Sequence, residues 1–332
     1  MLKESREPLW SVYDLVMLDL DGVVYIGPHA VPGVPQHLAA AAAAGMHLAY
    51  VTNNAARPPA AVAEHLSRLG IPAEEDDVVT SAQAAARLLA EWLEPGAAVF
   101  VIGGPGLFEA LQERGLRPVQ SADDDPAAVV SGYYADLRWG TVSEGAILVR
   151  EGLPWVATNL DISVPTPRGH GPGNGVLVEA VARFANREPV VAGKPLPPLF
   201  EETQRRVGGS RPLVVGDRLD TDIEGARNAG LDSLLVLTGV TGVAELVAAA
   251  PAHRPTYLSA GLEGLGLPHG VPVVRDGGHE LGGWRAVAGH GTVKIDGAGD
   301  PADWWRVLAQ AAWAHLDATG ESVDPDGLTP PM

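Results

Sequence analysis

The hydrophobic positions of the chain fall into short apolar runs, separated by longer segments rich in alanine and leucine. Such runs are typical of strands buried on both faces of a parallel sheet, and the segments between them have helical composition. The alternation predicts an α/β fold with a doubly wound, Rossmann-like parallel sheet covered by helices. The runs predicted to form the core sheet are residues 13–19, 47–51, 212–216 and 233–237.

A second alternation of strands and helices lies inside the first. Residues 83–186 contain apolar runs at 98–102, 127–132 and 155–158, with helical stretches between them. We therefore expect an inserted α/β domain at 83–186, which interrupts a hydrolase core formed by residues 1–82 and 187–265.

The C-terminal segment, residues 271–332, has a different pattern. It is rich in glycine, and two short runs at 284–287 and 292–295 precede a helical stretch at 301–318 whose tryptophans are expected to pack inside it. We expect a small α+β appendage of unknown function. Because the core sheet is predicted to be complete by Leu237, this appendage is expected to be dispensable for chemistry.

Charge and composition restrict the classes of function. The 332 residues carry 41 acidic and 23 basic side chains, a formal net charge of −18, which disfavours nucleic acids and anionic membranes as partners. The chain has no cysteine, so disulfides, thiol catalysis and cysteine-bound zinc are excluded. It shows neither a signal peptide nor an apolar run of membrane-spanning length, so a cytoplasmic location is expected. Handling a phosphorylated substrate would require a local cation.

Acidic side chains follow two of the predicted core strands. Asp19 and Asp21 stand two residues apart where the first strand ends, and Asp217, Asp220 and Asp222 follow the third. Ligands bind at the carboxyl ends of strands in open parallel sheets, and an oxygen-rich cluster suits Mg²⁺. The first pair suits a nucleophile and a proton donor, although Asp-Gly is also a common turn, and acids at a helix start can be simple caps.

Candidate phosphate-binding groups follow the second strand and precede a predicted helix. Thr52 and Asn53 end the second strand, and Lys194 lies between Gly193 and Pro195. A hydroxyl, an amide and an ammonium group can all donate to phosphate oxygens. Taken singly, Thr52 and Asn53 would more commonly be helix caps, and a lone lysine is usually solvated.

Taken together and in this order, the four elements resemble the four motifs of the haloacid dehalogenase superfamily. The large insert between the second and third motifs is similar to the C2-type cap of the branch that includes phosphoglycolate, nitrophenyl-phosphate and nucleotide phosphatases. Over its whole length, the chain most resembles actinobacterial phosphatases of glycerol 3-phosphate. The segments that are similar to the branch with the C2-type cap are Val51-Thr52-Asn53-Asn54, Pro172-Gly173-Asn174-Gly175, Gly193-Lys194-Pro195 and Thr238-Gly239-Val240.

The resemblance implies Mg²⁺-dependent hydrolysis of a phosphomonoester through an aspartyl-phosphate. Asp19 would be the nucleophile and a metal ligand. Asp21 would ligate the metal through its backbone carbonyl and serve as general acid and then base. Asp217 would complete the protein ligands, while Asp220 and Asp222 would hold metal-bound waters or orient the lysine.

The resemblance also implies roles for the phosphate-binding and cap residues. Thr52, Asn53 and Lys194 would bind the phosphoryl group, and Asn159 and Asp161 would face the substrate from the cap. The expected partner is a small phosphorylated metabolite, with glycerol 3-phosphate first and phosphoglycolate, a nucleotide or pyridoxal phosphate as alternatives. A homodimer is compatible with the resemblance. A non-catalytic module that senses a phosphorylated ligand is the alternative of another class.

Overall fold

The structure is a computed structural model that describes residues 2–166 and 168–331. The chain forms two compact units. The first consists of the residues up to Ala49, Leu69–Pro72 and the residues from Gly209 onward, and the second consists of Tyr50–Arg68 and Ala73–Gly208. The second unit therefore includes residues 73–82 and 187–208, which the sequence assigns to the core.

The strands are mostly short and apolar. In chain order they are β1 Leu15–Leu18, β2 Tyr25–Ile26, β3 His29–Ala30, β4 His47–Thr52, β5 Val78–Thr80, β6 Ala98–Ile102, β7 Arg117–Val119, β8 Ala128–Ser131, β9 Trp155–Ala157, β10 Ser163–Thr166, β11 Gly169–Pro172, β12 Val190–Val191, β13 Pro212–Gly216, β14 Asp232–Val236, β15 Tyr257–Ser259, β16 Val273–Arg275, β17 Gly278–Leu281, β18 Trp284–Gly289 and β19 Thr292–Gly297.

The α-helices alternate with the strands up to the C-terminal segment. In chain order they are α1 Leu9–Val12, α2 Val34–Ala43, α3 Pro59–Arg68, α4 Ser81–Trp92, α5 Pro105–Glu113, α6 Trp139–Glu151, α7 Asn174–Ala185, α8 Pro198–Val207, α9 Glu224–Asn228, α10 Val243–Val247 and α11 Pro301–Thr319.

The first unit is built on a parallel sheet with the strand order β15, β14, β13, β1, followed by the start of β4. Every residue of β1 and β13 is buried, which explains why both strands are continuous apolar runs in the sequence. From β1 the chain continues to β4 on one side, whereas β13 continues to β14 and β15 on the other. The order of the strands therefore reverses between β1 and β13, and ligands bind outside the carboxyl ends of strands at such a point.

The C-terminal segment is part of the core of the first unit. Strands β16 to β19 form an antiparallel sheet, and α11 buries Trp304, Trp305 and Trp313 in one apolar cluster with Leu235 and Leu258 of the parallel sheet. The predicted strands and helix are present. The packing of α11 argues against a separate appendage, and dispensability of the segment for chemistry stays a prediction.

The second unit contains a separate five-stranded parallel sheet with the order β12, β9, β8, β6, β7. Helices α6 and α7 pack on it through a cluster that includes Phe100, Val149 and Val181. The antiparallel hairpin of β10 and β11 precedes α7. An α/β insert was predicted in this part of the chain, and the second unit consists of a parallel sheet with helices packed on it.

None of the helices in the described ranges is both long enough and apolar enough to cross a bilayer. The longest, α11, has 19 residues and includes Asp303, Arg306 and Asp317.

Candidate active site

Three carboxylates meet at the carboxyl ends of β1 and β13 in the first unit. Oxygens of Asp19, Asp217 and Asp222 all lie within 4.8 Å of one another. Asp19 follows β1, and its backbone N–H donates to the carbonyl of Val215 at 2.9 Å, which continues the pairing of the two strands. Asp19 is half-buried, whereas Asp217 and Asp222 are 1% and 0% exposed. The fold therefore concentrates negative charge at the point where the strand order reverses.

Asp217 is held in place by the loop that follows β14. Its Oδ2 atom accepts a hydrogen bond from the backbone N–H of Val240 at 2.6 Å, and its carbonyl accepts one from the Thr241 hydroxyl at 2.5 Å. A Cβ atom at Gly239 would lie 1.9 Å from that Oδ2 atom. Only glycine at this position lets the loop approach the carboxylate so closely.

Asp222 and Asp220 have different environments although they are two residues apart. Both lie on the single π turn Leu219–Ile223. Asp222 is fully buried and accepts the backbone N–H of Arg218 at 3.1 Å. Asp220 is exposed and pairs with the Arg218 guanidinium at 2.7 and 3.0 Å. Partial desolvation by neighbouring groups opposes ionisation of the Asp220 carboxyl, but the hydrogen bonds and charge of Arg218 outweigh this effect and lower its pKa.

The carboxylate group fits a magnesium ion. Mg²⁺ prefers oxygen ligands at 2.0–2.1 Å, so two ligands of one ion lie at most about 4.2 Å apart. Oxygens of the three aspartates all lie within 4.8 Å of one another, so small side-chain movements would bring them to one ion. Buried carboxylates this close repel one another, and a divalent cation would offset the repulsion.

Asp21 lies on the tight turn that follows β1. The turn is closed by the backbone N–H of Gly22, which donates to the Tyr25 carbonyl at 2.8 Å, and the Thr238 hydroxyl donates to the Gly22 carbonyl at 2.6 Å. The Asp21 side chain is exposed, so it can exchange protons with solvent. It is not one of the three clustered carboxylates in the part of the chain that the structure describes.

A second polar cluster lies in the second unit and is centred on Asn53. The Asn53 side chain accepts the backbone N–H of Lys194 at 2.8 Å and donates to the Lys194 carbonyl at 3.1 Å. Thr52, Asn53 and Lys194 are all buried. The Thr52 hydroxyl also accepts the backbone N–H of Asn54 at 3.1 Å. The end of β4 and the loop before α8 are therefore fixed to each other by a side chain.

The two predicted cap residues belong to the same cluster. Asn159 is buried and donates to the backbone carbonyl of Asn53 at 2.6 Å. Asp161 is half-buried, accepts from the Asn53 amide at 3.2 Å, and donates its backbone N–H to the Asn159 side chain at 3.1 Å.

The predicted site residues thus form two groups, one in each unit. Asp19, Asp217 and Asp222 meet in the first unit, whereas Asp220 pairs with Arg218. Asn53, Lys194, Asn159 and Asp161 are joined by hydrogen bonds in the second unit, with Thr52 beside Asn53. The sequence assigned no role to Thr241, which supports Asp217, or to Asn174, whose amide donates to the Asn159 carbonyl at 2.7 Å. Asn174 lies within a segment that carries the resemblance, and Thr241 directly follows another. These positions are the signal in the sequence that could have identified the two residues.

Comparisons with known proteins identify the family of the chain. A family described as haloacid dehalogenase-like hydrolase matches residues 16–117, and a second family of similar hydrolases matches residues 191–265. The chain is 43% identical over 310 residues to the D-glycerol 3-phosphate phosphatase of Mycobacterium tuberculosis, covering 91% of this chain and 86% of the relative. It is 37% identical to an acid sugar phosphatase of Staphylococcus saprophyticus, covering 74% and 93%.

A solved structure extends the likeness to the fold. The crystal structure of a glycerol phosphate phosphatase from Mycobacterium tuberculosis in complex with magnesium matches with a TM-score of 0.84 and 41% identity, covering 93% of this chain and 92% of that one.

The chain therefore belongs to the haloacid dehalogenase-like hydrolases. Within that family it is a phosphatase, so the predicted fold class and enzyme class are confirmed, and the non-catalytic sensing module is set aside.

Proposed function

We propose that the chain is a Mg²⁺-dependent phosphomonoesterase that hydrolyses glycerol 3-phosphate through an aspartyl-phosphate. The observation that carries this proposal is the group of Asp19, Asp217 and Asp222 at the carboxyl ends of β1 and β13. The likeness over most of the chain to a phosphatase of glycerol 3-phosphate supports the substrate. A cytoplasmic location and a homodimer stay predictions.

Magnesium would be held by the side chains of Asp19 and Asp217 and by the backbone carbonyl of Asp21. Asp222, with its oxygen in the same group, would bind the ion directly or through a water. When bound, the ion offsets the negative charge of the carboxylates and of the phosphoryl oxygens.

The protein's own carboxylates would carry the reaction. An oxygen of Asp19 attacks phosphorus, the bond from phosphorus to the ester oxygen breaks, and Asp21 donates its proton to the departing alkoxide. Asp21 then takes a proton from water, whose oxygen attacks the phosphorus of the aspartyl-phosphate. The bond from phosphorus to Asp19 breaks, which releases inorganic phosphate and restores both aspartates. The exposure of Asp21 suits a residue that must exchange protons in each cycle.

We assign phosphate binding to Thr52, Asn53 and Lys194. Phosphoryl transfer requires mainly positioning and charge stabilisation from the protein. The hydrogen bonds between Asn53 and Lys194 would keep the ammonium and the hydroxyl in place before the substrate binds.

We assign recognition of the leaving group to Asn159 and Asp161. A half-buried carboxylate can accept hydrogen bonds from substrate hydroxyls, and a site built for hydroxyls discriminates strongly against analogues that lack them. The Asp161 carboxylate would repel the carboxylate of phosphoglycolate, which would instead require a cationic partner in the cap.

The first prediction tests the chemistry. Asp19→Asn should lower kcat by about 10³-fold or more, because an amide neither attacks phosphorus nor binds the metal as a carboxylate does. Excess chelator should abolish turnover of the unmodified protein, and added Mg²⁺ should restore it. Asp76→Asn, the same change at an exposed position, is the control. Full turnover by Asp19→Asn, or turnover in excess chelator, would refute the mechanism.

The second prediction concerns the substrate. The value of kcat/KM should be highest for glycerol 3-phosphate when it is compared with phosphoglycolate, a nucleoside monophosphate, a sugar phosphate and pyridoxal phosphate at one Mg²⁺ concentration. If another ester exceeds it by about tenfold, which corresponds to about 1.4 kcal/mol of transition-state binding, the substrate assignment fails while the phosphatase assignment stands.

A further inference from the structure

Residues 173–175, Gly-Asn-Gly, all donate hydrogen bonds to the segment of residues 159–162. The backbone N–H of Gly173 donates to the Ile162 carbonyl at 2.8 Å, and that of Gly175 donates to the Asp161 carbonyl at 2.9 Å. Between them, the side-chain amide of Asn174 donates to the Asn159 carbonyl at 2.7 Å. We call residues 173–175 the Gly-Asn-Gly clamp, because three successive donors hold one short segment.

The two glycines permit the close approach that these bonds require. A Cβ atom at Gly173 would lie 2.2 Å from the Asp161 carbonyl oxygen, and one at Gly175 would lie 2.3 Å from that of Leu160. Both separations are far inside van der Waals contact with backbone atoms, which cannot move away as a flexible side chain can. The clamp therefore depends on small residues on both sides of Asn174.

The clamp is connected to the phosphate-binding residues through Asn159. Asn174 donates to the carbonyl of Asn159, Asn159 donates to the carbonyl of Asn53, and the Asn53 side chain pairs with the backbone of Lys194. All four residues that these hydrogen bonds join are buried, namely Asn174, Asn159, Asn53 and Lys194. A displacement of the segment 159–162 would thus alter the position of the side chain assigned to the leaving group.

The Asn174 side chain contributes little to stability by itself. It is 2% exposed, and its Oδ1 atom accepts no hydrogen bond from the described residues. Its one donated hydrogen bond is worth about 0.5–1.5 kcal/mol, and a buried acceptor left unsatisfied costs about 1–3 kcal/mol. An asparagine kept for stability alone would be a poor choice here, whereas one kept to position Asn159 and Asp161 would not.

We propose that Asn174 is a positioning residue for substrate specificity, which holds Asn159 and Asp161 where they receive the hydroxyls of the leaving group. This inference rests on the proposed function of that segment. In the proposed function, Asn174 touches no reacting atom. It acts through its hydrogen bond to the Asn159 carbonyl.

The test compares Asn174→Ala and the isosteric Asn174→Asp, which loses the donor, with Thr203→Val. Thr203 is also buried in the second unit, and its hydroxyl makes one hydrogen bond to a backbone carbonyl, that of Leu199 at 2.8 Å. For each protein, kcat and KM are measured with glycerol 3-phosphate and with 4-nitrophenyl phosphate, whose leaving group carries no hydroxyls for the cap to bind. Thermal midpoints and amide hydrogen exchange are measured in parallel.

Both Asn174 variants should raise KM for glycerol 3-phosphate about tenfold, the equivalent of one lost hydrogen bond, with kcat changed less than about threefold. The KM for 4-nitrophenyl phosphate should stay within about twofold, and amide exchange at Asp161 and Gly175 should become faster. Thr203→Val should change none of these. An equal rise in both KM values, unchanged exchange, or a larger loss of thermal stability in Asn174→Ala than in Thr203→Val would overturn the proposal.

The readouts separate this proposal from the proposed function. If the unmodified protein hydrolyses neither ester with Mg²⁺, the proposed function fails, and amide exchange alone decides whether Asn174 holds the segment. If it prefers another ester, the KM comparison is made with that ester. If exchange and KM both stay unchanged in the Asn174 variants of an active enzyme, only the positioning role fails.

Discussion

At the scale of single residues, His269 illustrates how neighbouring groups determine a protonation state. The Arg306 guanidinium has only donors, so the His269 Nδ1 atom, 3.0 Å away, must accept and is unprotonated. The Nε2 atom then donates to the Gly264 carbonyl at 2.8 Å. Burial lowers the pKa of His269 from 6.5 to about 4, with the Arg306 charge acting in the same direction and the Gly264 carbonyl opposing it.

This environment predicts a pH dependence of stability. Because the folded state disfavours protonation, the contribution of His269 is present above pH 6.5 and is lost as the pH falls toward 4. The loss amounts to at most about 3 kcal/mol. Free energies of unfolding measured by urea titration between pH 7 and 4 should therefore fall less steeply in His269→Gln than in the unmodified protein.

The matched control for this prediction is His29→Gln, since His29 is exposed on β3. Its profile should run parallel to that of the unmodified protein. If the profile of His269→Gln is also parallel, the protonation of His269 is not coupled to folding.

The sequence predicts which residues lie in the site better than it predicts the environment of each side chain. The sequence predicts that Asp217, Asp220 and Asp222 lie together after a buried strand. It cannot show that the π turn buries Asp222 beside Asp19 and leaves Asp220 exposed to Arg218. Residues two apart on a helical turn face different sides, but the sequence does not show which of the two sides is buried.

At the scale of elements, one buried carboxylate links three helices of the second unit. Glu202 on α8 is 0% exposed, and its oxygens face Arg87 of α4 at 3.4 Å, Arg206 of its own helix at 2.5 Å, and Arg114 at the end of α5. Three guanidiniums thus meet at a single buried anion. Glu113 pairs with Arg206 at 3.0 Å and offsets part of the remaining charge.

The fourth prediction follows from this cluster. Glu202→Gln should lower the free energy of unfolding of the second unit by about 1.5–3 kcal/mol, because a neutral amide cannot replace the charge-assisted hydrogen bonds that the buried carboxylate accepts from Arg114 and Arg206. The neighbouring change Glu201→Gln removes an exposed carboxylate that pairs with Arg87 at 3.0 Å and should cost less than about 1 kcal/mol. Urea unfolding followed by amide exchange in α4 and α8 measures both, and similar losses would contradict the special role of Glu202.

The sequence predicted some elements within a few residues and missed others. The runs at β6, β8 and β13 and the helix at α11 were anticipated within a few residues. Strands of two or three residues, such as β5 and β12, give no periodic pattern over which alternation can be recognised. They form because neighbouring strands supply hydrogen-bonding partners, which is information that a local pattern does not contain.

At the scale of the molecule, the C-terminal segment packs into the core of the first unit. Arg306 of α11 donates to the Leu258 carbonyl at 3.0 Å, and Trp313 donates to the Leu246 carbonyl at 2.8 Å. Losing one buried tryptophan side chain costs about 3–5 kcal/mol, and α11 buries three of them, so the total is comparable to the 5–15 kcal/mol that stabilises a typical domain.

The fifth prediction reverses the expectation of a dispensable appendage. Truncation after Gly270 should give insoluble or partly unfolded protein, because it exposes the apolar face that α11 covers. Truncation after Asp324, which keeps α11 and the buried Val323, should leave soluble yield and phosphatase activity close to those of the full chain. A soluble, active chain ending at Gly270 would show that the helix is not needed.

Fold class and enzyme class could be predicted at this scale because order, strand context and residue type of the motifs all had to agree. The packing of residues 271–332 could not be predicted. The sequence of an amphipathic helix shows that its apolar face must be covered, but not which surface covers it.

The position of β1 also determines when the first unit can fold. β1 consists of four buried apolar residues. Nearly the whole second unit lies between β1 and its partner β13 in the sequence. During translation at about 5–20 residues per second, β13 follows β1 by roughly 200 residues, or about 10–40 seconds. The second unit can be complete by then, whereas β1, which has β4 as its early neighbour, keeps its other edge unpaired until β13 is made. Ribosome-associated chaperones should therefore bind the first fifty residues for longer than any later part of the chain.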